Sequence, residues 1–426
     1  MPLRTRREAG PAATNRSVPA GRDGTLPLTV VGNPGNRRVR LFGDAAVAAG
    51  LPRPVVLPWH DLLTGAAPPP AGTLVRVDSP GEDAEVDRLL RGAAEPARHG
   101  EIVGTAAAHA GLRRALDRLA SGGATLLNQP ADIVTLCDKR RCHAVLDAAG
   151  VPVPAALGEV TGYAGLRAAM RRAGWTRVFV KPAHGSSASG VLALAADGSR
   201  LLATTPVERD GGRLFNSLRV RRYTDETEVA EIVDRLAPDG LHVERWLPKA
   251  GLADRVVDLR VVVVAGRPTH VVVRAGRGPI TNLHLGNARG DLAAVRAAAG
   301  PASWAAAMAT CARAAACFPD TLHVGVDLMF LVGWNRHAVA EVNAFGDLLP
   351  GVLAENRDTY ATQVHALRDG WRPSGGRSGV RTAGGRSGTA GGPPVAGTAG
   401  GRLASAPVVG RGGPDGRTGR ETACAT

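Results

Sequence analysis

The sequence predicts an α/β protein of two or three domains. Short apolar runs that are typical of strands, at residues 28–31, 54–57 and 73–77, alternate with turns and helical patterns. Hydrophobic residues make up 44% of the chain but aromatic residues only 4%, so the core must consist mostly of Val, Leu and Ala. The 426 residues leave room for several domains, since one domain usually has about 100–200 residues.

The N-terminal region, residues 24–130, is predicted to form a small domain with a parallel sheet. A strand, a glycine-rich turn and a helix follow one another repeatedly, as in such sheets. The turn at residues 32–36 lacks the full G-x-G-x-x-G pattern, which favours a plain tight turn over a dinucleotide site. A ligand at the N-terminus of the following helix stays an open alternative.

Residues 131–371 are predicted to form the larger, C-terminal folded region. An Ala-rich helix is expected at residues 302–317. The further strands are expected at residues 178–181, 191–194, 241–247, 256–264, 270–274, 322–331 and 337–342.

The two tails, residues 1–23 and 372–426, are predicted to be disordered. Both are rich in Gly, Pro, Ala, Ser and Thr and contain no run that would bury a core. Five arginines against two acids in the first tail, and eight against two in the second, supply +9 of the net charge of +14. The positive charge therefore describes the tails more than the fold, and it does not favour a nucleic-acid-binding protein.

The remaining composition argues against several other classes. The five cysteines show no C-x-x-C spacing, so neither a disulfide framework nor a zinc site is expected, and Cys137 and Cys142 are predicted to be ordinary buried or half-buried thiols. The N-terminus has no apolar signal segment, and no stretch reaches the roughly 18 apolar residues of a membrane span. We expect a soluble, cytoplasmic protein.

Lysine is rare in this chain. Of the 52 basic residues, only Lys139, Lys181 and Lys249 are lysines, and all others are arginines. A retained lysine can mark a position that needs a compact ammonium group on a flexible stem, although chance is an alternative with so few residues.

The last two predicted strands carry a candidate metal site. They form a hairpin whose turn is centred near Trp334, and Asp327 and Glu341 are each seven positions from that centre. In a symmetric hairpin the two carboxylates face each other, and Asn343 lies on the same face as Glu341. Their repulsion, roughly 4 kcal/mol at ~4 Å and an effective dielectric of about 20, would be relieved by a hard cation such as Mg²⁺. The alternative is a solvent-facing polar edge in another register.

A second candidate segment follows the strand that ends in Lys181. The loop after it, residues 183–190, contains mostly Gly, Ser and Ala, which allow backbone N–H groups to approach phosphate oxygens closely. The pattern is not the P-loop motif, since the segment is predicted to run strand–loop–strand. A flexible hairpin tip is the alternative for such a loop.

Two further segments place charged residues in apolar strands. Glu244 lies within a predicted strand, where it would accept a hydrogen bond from an adenine amino group or belong to an edge strand. Arg260, in the sequence Asp258-Leu259-Arg260, and Arg274 lie on neighbouring strands. They would bind an anionic transition state or form structural salt bridges.

The order of these segments resembles the ATP-grasp superfamily. The resemblance covers roughly residues 135–368 and is closest to the branches of the ribosomal-protein-S6 glutamate ligase and the tubulin–tyrosine ligases. It implies an N-terminal Rossmann-like pre-ATP-grasp domain followed by a two-lobed ATP-grasp fold. Residues 213–223 match no motif of the family, and residues 281–286 match its loop only loosely.

The resemblance also implies a role for individual residues. Asp327, Glu341 and Asn343 would hold one or two Mg²⁺ ions, with Mn²⁺ as an alternative. Arg260 and Arg274 would stabilise an acyl phosphate, with Asn282 nearby. The ATP-binding residues would be Lys139 and Lys181 at the phosphates, His184, Gly185, Ser186 and Ser187 in the covering loop, Glu244, Arg245, Trp246 and Lys249 around the adenine, and Asp258 either at the ribose or as an ordering residue.

The function implied is that of a Mg-ATP-dependent carboxylate–amine ligase that forms a carbon–nitrogen bond through an acyl phosphate. The partners would be a carboxylate and an amine, each a small molecule or a peptide, and the sequence identifies neither. One alternative is an ATP-binding regulatory or kinase-like protein without ligation. The other is a nucleic-acid-binding protein that uses its basic tails.

Overall fold

A computed structural model describes residues 27–198, 200–345 and 349–374 of the chain. The predicted tails, apart from residues 372–374, lie outside the described residues, as do residues 24–26 and Cys424. The predicted α/β class is confirmed, because the described chain combines one parallel and two antiparallel sheets with helices. No helix within the described ranges is long and apolar enough to cross a membrane.

The first sheet is parallel, as the sequence predicts. Its order is β2-β1-β3-β4, and each adjacent pair runs in the same direction. Asn36 in the glycine-rich turn caps the first helix, because its side chain accepts a hydrogen bond from the Arg38 N–H. The elements are β1 (Leu28–Gly32), α1 (Arg37–Ala48), β2 (Val55–Pro58), α2 (Trp59–Thr64), β3 (Leu74–Val77), α3 (Ala84–Arg91), α4 (Thr105–Ser121), β4 (Thr125–Leu126), α5 (Pro130–Leu136) and α6 (Lys139–Ala148).

The second sheet is antiparallel, in the order β8-β7-β6-β5-β9. The loop after Lys181 joins two paired strands of this sheet, which confirms the predicted strand–loop–strand arrangement. The segment 213–223, which matched no motif, is an edge strand. The elements are α7 (Tyr163–Ala173), β5 (Arg177–Pro182), β6 (Leu192–Asp197), β7 (Arg200–Asp210), β8 (Arg213–Tyr223), α8 (Glu226–Leu236) and β9 (Leu241–Arg245).

The third sheet is also antiparallel, in the order β13-β12-β11-β14-β15 with β10 added beside β11. Helix α9 begins ten residues before the predicted start, because Asp291 caps a first half that kinks at Gly300, whose φ is 72°. The elements are β10 (Gly251–Leu252), β11 (Arg255–Val264), β12 (Arg267–Gly276), β13 (Ala288–Arg289), α9 (Leu292–Ala316), β14 (His323–Phe330), β15 (His337–Asn343) and α10 (Thr359–Arg368).

Strand β11 has two faces of different character, and this difference positions the candidate site. Leu259 and Val261 point to a large core that includes buried residues of α9. The opposite face starts with Asp258 and Arg260 and continues with Val262, which packs in a core shared with β1 and α1. One half of this face is therefore anchored to the first sheet, while its charged half is left for the site.

The hairpin of β14 and β15 brings Asp327 opposite Glu341, as predicted, but not through a symmetric turn. Leu328 pairs with Val339, so a regular ladder would place Ala340 opposite Asp327. A β-bulge leaves Ala340 without a partner in the ladder and moves Glu341 into that position. The predicted pairing is confirmed, and its physical cause is the bulge.

Gly111 allows α4 to pack closely on α3. A Cβ atom at Gly111 would lie 1.9 Å from the carbonyl oxygen of Leu90, whereas one at Gly165 in α7 would meet no atom within 4 Å. Gly111→Ala should therefore lower the free energy of unfolding by about 1–3 kcal/mol. Gly165→Ala should raise it by roughly 0.5–1 kcal/mol, because alanine is the better helix former. Urea denaturation of both variants tests the packing, and equal stabilities would contradict it.

Candidate active site

All three lysines of the chain form salt bridges with acids of one charged cluster. The Lys139 Nζ atom lies 3.1 Å from Glu341 Oε1, Lys181 Nζ lies 2.6 Å from Glu244 Oε1, and Lys249 Nζ lies 2.6 Å from Asp258 Oδ2. Every one of these six residues belongs to the set that the sequence analysis assigned to the site. Their convergence makes chance a poor explanation for the survival of the three lysines.

Asp327 is held by both predicted catalytic arginines. Arg260 donates two hydrogen bonds to its carboxylate, of 2.5 and 3.2 Å, and Arg274 Nη1 donates a third of 3.2 Å. Arg274 also donates from Nε to Asp258 Oδ1 at 2.7 Å. The contacts of Arg260 with Asp327 and of Arg274 with Asp258 follow from the strand register, since the two residues of each pair face each other on adjacent strands.

The buried charges of this group stabilise one another. Burial alone would raise the pKa of Asp327 and of Asp258, but the neighbouring cations outweigh it and hold both pKa values below the usual range. Burial alone would lower the pKa of Arg274, but the two carboxylates outweigh it and raise that pKa. These three side chains are therefore charged at neutral pH, as partly desolvated ion pairs require.

The three predicted metal ligands lie side by side on β14 and β15. A carboxylate has about four acceptor sites, and Asp327 uses three of them for arginine N–H groups. The Asn343 amide nitrogen donates to the Gly325 carbonyl at 3.3 Å, which leaves its oxygen as the atom suited to a cation. Together with Glu341, these oxygen donors fit Mg²⁺. Within the described ranges, no three His, Cys, Asp or Glu side chains form a metal site by themselves.

Glu244 is buried beside Lys181 and His242. Its side chain is 3% exposed, with Oε1 at Lys181 and Oε2 3.1 Å from the His242 ring. Burial alone would raise its pKa, but Lys181 and His242 outweigh it and lower the pKa to about 2. In this arrangement both carboxylate oxygens are engaged within the protein, and its contact with an adenine amino group stays a prediction.

The predicted phosphate loop contacts the cluster through Lys139. The Lys139 Nζ atom donates to the Gly185 carbonyl, and the Lys139 N–H donates to the Ala183 carbonyl at 2.9 Å. The ring of His184 stacks on that of His109 with centroids 4.2 Å apart, and burial together with this second ring lowers the pKa of His184 to about 4. A neutral His184 therefore fixes the start of the loop.

The tip of the loop is exposed and conformationally costly. Ser186 and Ser187 are exposed, and Ser187 and Ala188 both have positive φ angles, of 52° and 60°. Residues with a Cβ atom avoid this region, at a cost of about 1–2 kcal/mol each. The loop thus combines a fixed start at His184 with a strained, accessible tip.

Outside the loop, three predicted site residues do not reach the charged cluster. Arg245 is exposed. Trp246 packs on the ring of Phe179, and the backbone N–H of Trp246 donates to the Arg177 carbonyl at 3.2 Å. Asn282 accepts a hydrogen bond from the His284 N–H, so its side chain caps the short turn that follows it. Their roles in binding or catalysis stay predictions.

Two side chains in the cluster were missed by the sequence analysis. Thr281 donates to Asp258 Oδ2 and accepts from Lys249 Nζ at 2.8 Å, and His242 contacts Glu244. His242 lies two positions from Glu244 in a strand, which is a signal that both share one face. Thr281 lies far from its partners in sequence, and no spacing rule would have found it.

The two thiols near the site are inert, as expected of structural cysteines. Cys137 is half-buried and Cys142 is buried, and neither forms a disulfide. Burial raises the pKa of each thiol to about 12, so neither is a thiolate at neutral pH.

A scan of the sequence against protein-family models found no match, and a search of the curated proteins found no similar sequence. Solved structures do match. The ATP-grasp ligase PsnB with a minimal precursor has 17% identity and a TM-score of 0.48, over 81% of this chain and 99% of that chain. The RimK domain protein ATP-grasp from Sphaerobacter thermophilus has 17% identity and a TM-score of 0.42, over 75% and 92%. The D-alanine–D-alanine ligase from Bacillus anthracis has 12% identity and a TM-score of 0.45, over 81% and 97%.

The first two of these structures are described as ATP-grasp proteins. The branch within that superfamily and the boundaries of the domains stay predictions.

The pair of Lys181 and Glu244 gives a testable pH dependence. Because the folded-state pKa of Glu244, about 2, lies below its ordinary value of 4.5, the pair stabilises the fold above pH 4.5 and this contribution is lost as the pH falls towards 2. Glu244→Gln should lower the free energy of unfolding by about 3–5 kcal/mol at pH 7, since it leaves a buried lysine unpaired. The difference from the parent protein should shrink between pH 4.5 and 2.

Urea denaturation at several pH values measures this difference. Glu208 on β7 of the same sheet provides a matched control, since its side chain is 43% exposed and pairs with Arg221 at the surface. Glu208→Gln should cost no more than about 1 kcal/mol at pH 7. A pH-independent deficit in Glu244→Gln would contradict the assignment.

Proposed function

We propose that the chain is an ATP-grasp ligase that uses Mg-ATP to activate a carboxylate as an acyl phosphate, which an amine then attacks to form an amide, ADP and phosphate. The single observation that carries the proposal is the charged cluster. In it, all three lysines together with Arg260 and Arg274 form salt bridges with four buried or half-buried acids. The order of the motifs along the chain supports the same reading.

The charge balance of the cluster suits a triphosphate together with a cation. Its five cations exceed its four acids by one, and most of these groups are buried. A polyanion would draw lysines away from their carboxylates, and those carboxylates would then need another cation. Mg²⁺ would supply charge neutralisation of the transferring phosphoryl group. Nucleotide and metal thus fit this site better together than either does alone.

The positions of Lys139 and Lys181 suggest how each would exchange its carboxylate partner for a phosphate oxygen. Lys139 already contacts both the loop, at Gly185, and the acid Glu341, so it lies between the proposed phosphate and metal positions. Lys181 contacts Glu244 on its own sheet and the carbonyl of Ala340 on the other sheet, at 3.4 Å. Both ammonium groups would turn from these partners to phosphate oxygens.

The proposed role of the arginines is electrostatic. Arg260 and Arg274 are fixed by strand register before any substrate binds, which avoids a reorganisation cost when charge develops. They lie beside the metal position at Asp327, where an acyl phosphate would form. The proposed substrates are a carboxylate and an amine, each a small molecule or a peptide.

Two substitutions test the metal site directly. Asp327→Ala and Glu341→Gln should each lower Mg²⁺-dependent ATP turnover by at least 100-fold, since the metal loses a ligand. Asp254→Asn is the matched control, because Asp254 lies in the turn between β10 and β11 of the same sheet. Its carboxylate is exposed and pairs only with Arg277 among the described residues. It should leave turnover unchanged. Full turnover by both site variants would refute the metal assignment.

Product analysis tests the reaction itself. We expect ADP release that depends on a carboxylate and an amine together, found by screening pairs of such compounds, with an amide detected by mass spectrometry. A stable phosphorylated acceptor without an amide would instead show a kinase-like protein.

A further inference from the structure

The geometry points to Lys249 and Thr281 as positioning residues that orient Asp327 through Asp258 and Arg274. This inference deepens the proposed function, on which its relevance to metal binding rests. It reassigns Lys249, which the family resemblance placed at the nucleotide.

Five charged side chains form one row of alternating sign across the third sheet. Lys249 contacts Asp258 at 2.6 Å, Asp258 contacts Arg274 at 2.7 Å, and Arg274 contacts Asp327 at 3.2 Å. Arg260 closes the row on the other side of Asp327 at 2.5 Å. We call these five residues the charge row. It begins at the connection between the second and third sheets and includes the proposed metal ligand Asp327.

Lys249 is committed to the charge row by its surroundings. Its side chain is 12% exposed, and its Nζ atom uses two of its three N–H donors on Asp258 and Thr281. Its backbone is fixed as well, since residue 249 forms a β-bridge with Leu331 and the Ala250 N–H donates to the Phe330 carbonyl at 2.8 Å. The Lys249 side chain is thus held both at its ammonium group and at its backbone.

Thr281 provides a further hydrogen bond to Asp258. Its hydroxyl donates to the same carboxylate oxygen that Lys249 contacts, and it accepts from Lys249 in turn. Thr281 is 2% exposed, so this hydroxyl has no bulk water to replace its partners. Two donors on Oδ2 leave Oδ1 for Arg274 alone.

Arg274 contacts two carboxylates, and through it Lys249 and Thr281 influence the orientation of Asp327. With Lys249 and Thr281 in place, Asp258 needs only the Nε group of Arg274, and Nη1 is left for Asp327. Without them, Asp258 would be a buried, under-neutralised carboxylate, and Arg274 would turn fully towards it. Asp327 would then be oriented by Arg260 alone, and its alignment with Glu341 and Asn343 would be lost.

A double-mutant cycle on the protein without nucleotide tests the charge row. Lys249→Met and Asp327→Asn should each lower the melting temperature. The double variant should lose at least 2 °C less than the sum of the two, because Arg274 turns to Asp258 once Asp327 is neutral. Lys249→Arg, which keeps charge and donors, should restore most of the loss.

Thr269 provides the control for this cycle. Its hydroxyl lies at the other end of β12 and donates to the Val262 carbonyl at 3.1 Å, with no partner in the charge row. Thr269→Val combined with Asp327→Asn should therefore be additive. Additivity of Lys249→Met with Asp327→Asn as well would overturn the inference.

Nucleotide titration separates positioning from direct contact. The probe is the non-hydrolysable ATP analogue AMPPNP, added with and without Mg²⁺. Lys249→Met and Thr281→Val should reduce the gain in affinity that Mg²⁺ gives at least fivefold, and Thr281→Ser should keep it within twofold. Affinity without Mg²⁺ should change less than twofold in all three.

An equal loss of affinity with and without Mg²⁺ in Lys249→Met would show that Lys249 contacts the nucleotide, which would overturn the inference. If the parent protein does not bind AMPPNP at all, the proposed function fails. The cycle of melting temperatures still decides the charge row in that case, because it needs no nucleotide.

Discussion

The structure of the site depends on the rule that a buried charge must be paired. Asp258, Asp327 and Glu244 are each less than a tenth exposed, and such carboxylates would be strongly destabilising alone. Each is compensated by a cation from another strand or connection. Pairing fixes where β5, β9, β11, β12 and β14 lie relative to one another in this region, so the same contacts that keep the charges tolerable also arrange the functional groups.

The two antiparallel sheets meet at the bulge in β15. The extra residue Ala340 brings Glu341 opposite Asp327 and also presents a carbonyl to Lys181 of the other sheet. Glu341 in turn accepts from Lys139 at the start of α6. One irregularity in one strand thus links three parts of the chain, which is a common use of bulges next to functional sites.

Much of the site could be predicted from sequence because its residues lie on strands. Alternation along β11 and β15 places Asp258 with Arg260 and Glu341 with Asn343, and these pairings need only a period of two. The facing of Asp327 and Glu341 was predicted correctly from a symmetric turn, yet it arises from a bulge that no local pattern signalled. Contacts between distant segments, such as Thr281 with Asp258, depend on how loops close over the sheet and lie beyond such rules.

The fold was predictable to a similar depth. The parallel sheet follows from its repeated strand–turn–helix pattern, whereas β8 was not predicted. Leu218 and Val220 alternate with arginines in this strand, but both apolar side chains are exposed. The adenine contact of Glu244, which was inferred from an acid in an apolar strand, stays a prediction. In the structure, Lys181 and His242 satisfy the Glu244 carboxylate from within the protein.

The division of labour between lysine and arginine follows from the shape of their contacts. Arg260 places two N–H groups on the two oxygens of one carboxylate, and Arg274 joins two carboxylates with separate nitrogens. A lysine could replace neither, because its ammonium is a single point of charge. Lys139, Lys181 and Lys249 instead each pair with one oxygen of one carboxylate. In a chain that otherwise uses arginine throughout, the planar group therefore spans two carboxylate oxygens, and the compact group is kept where one carboxylate oxygen is paired.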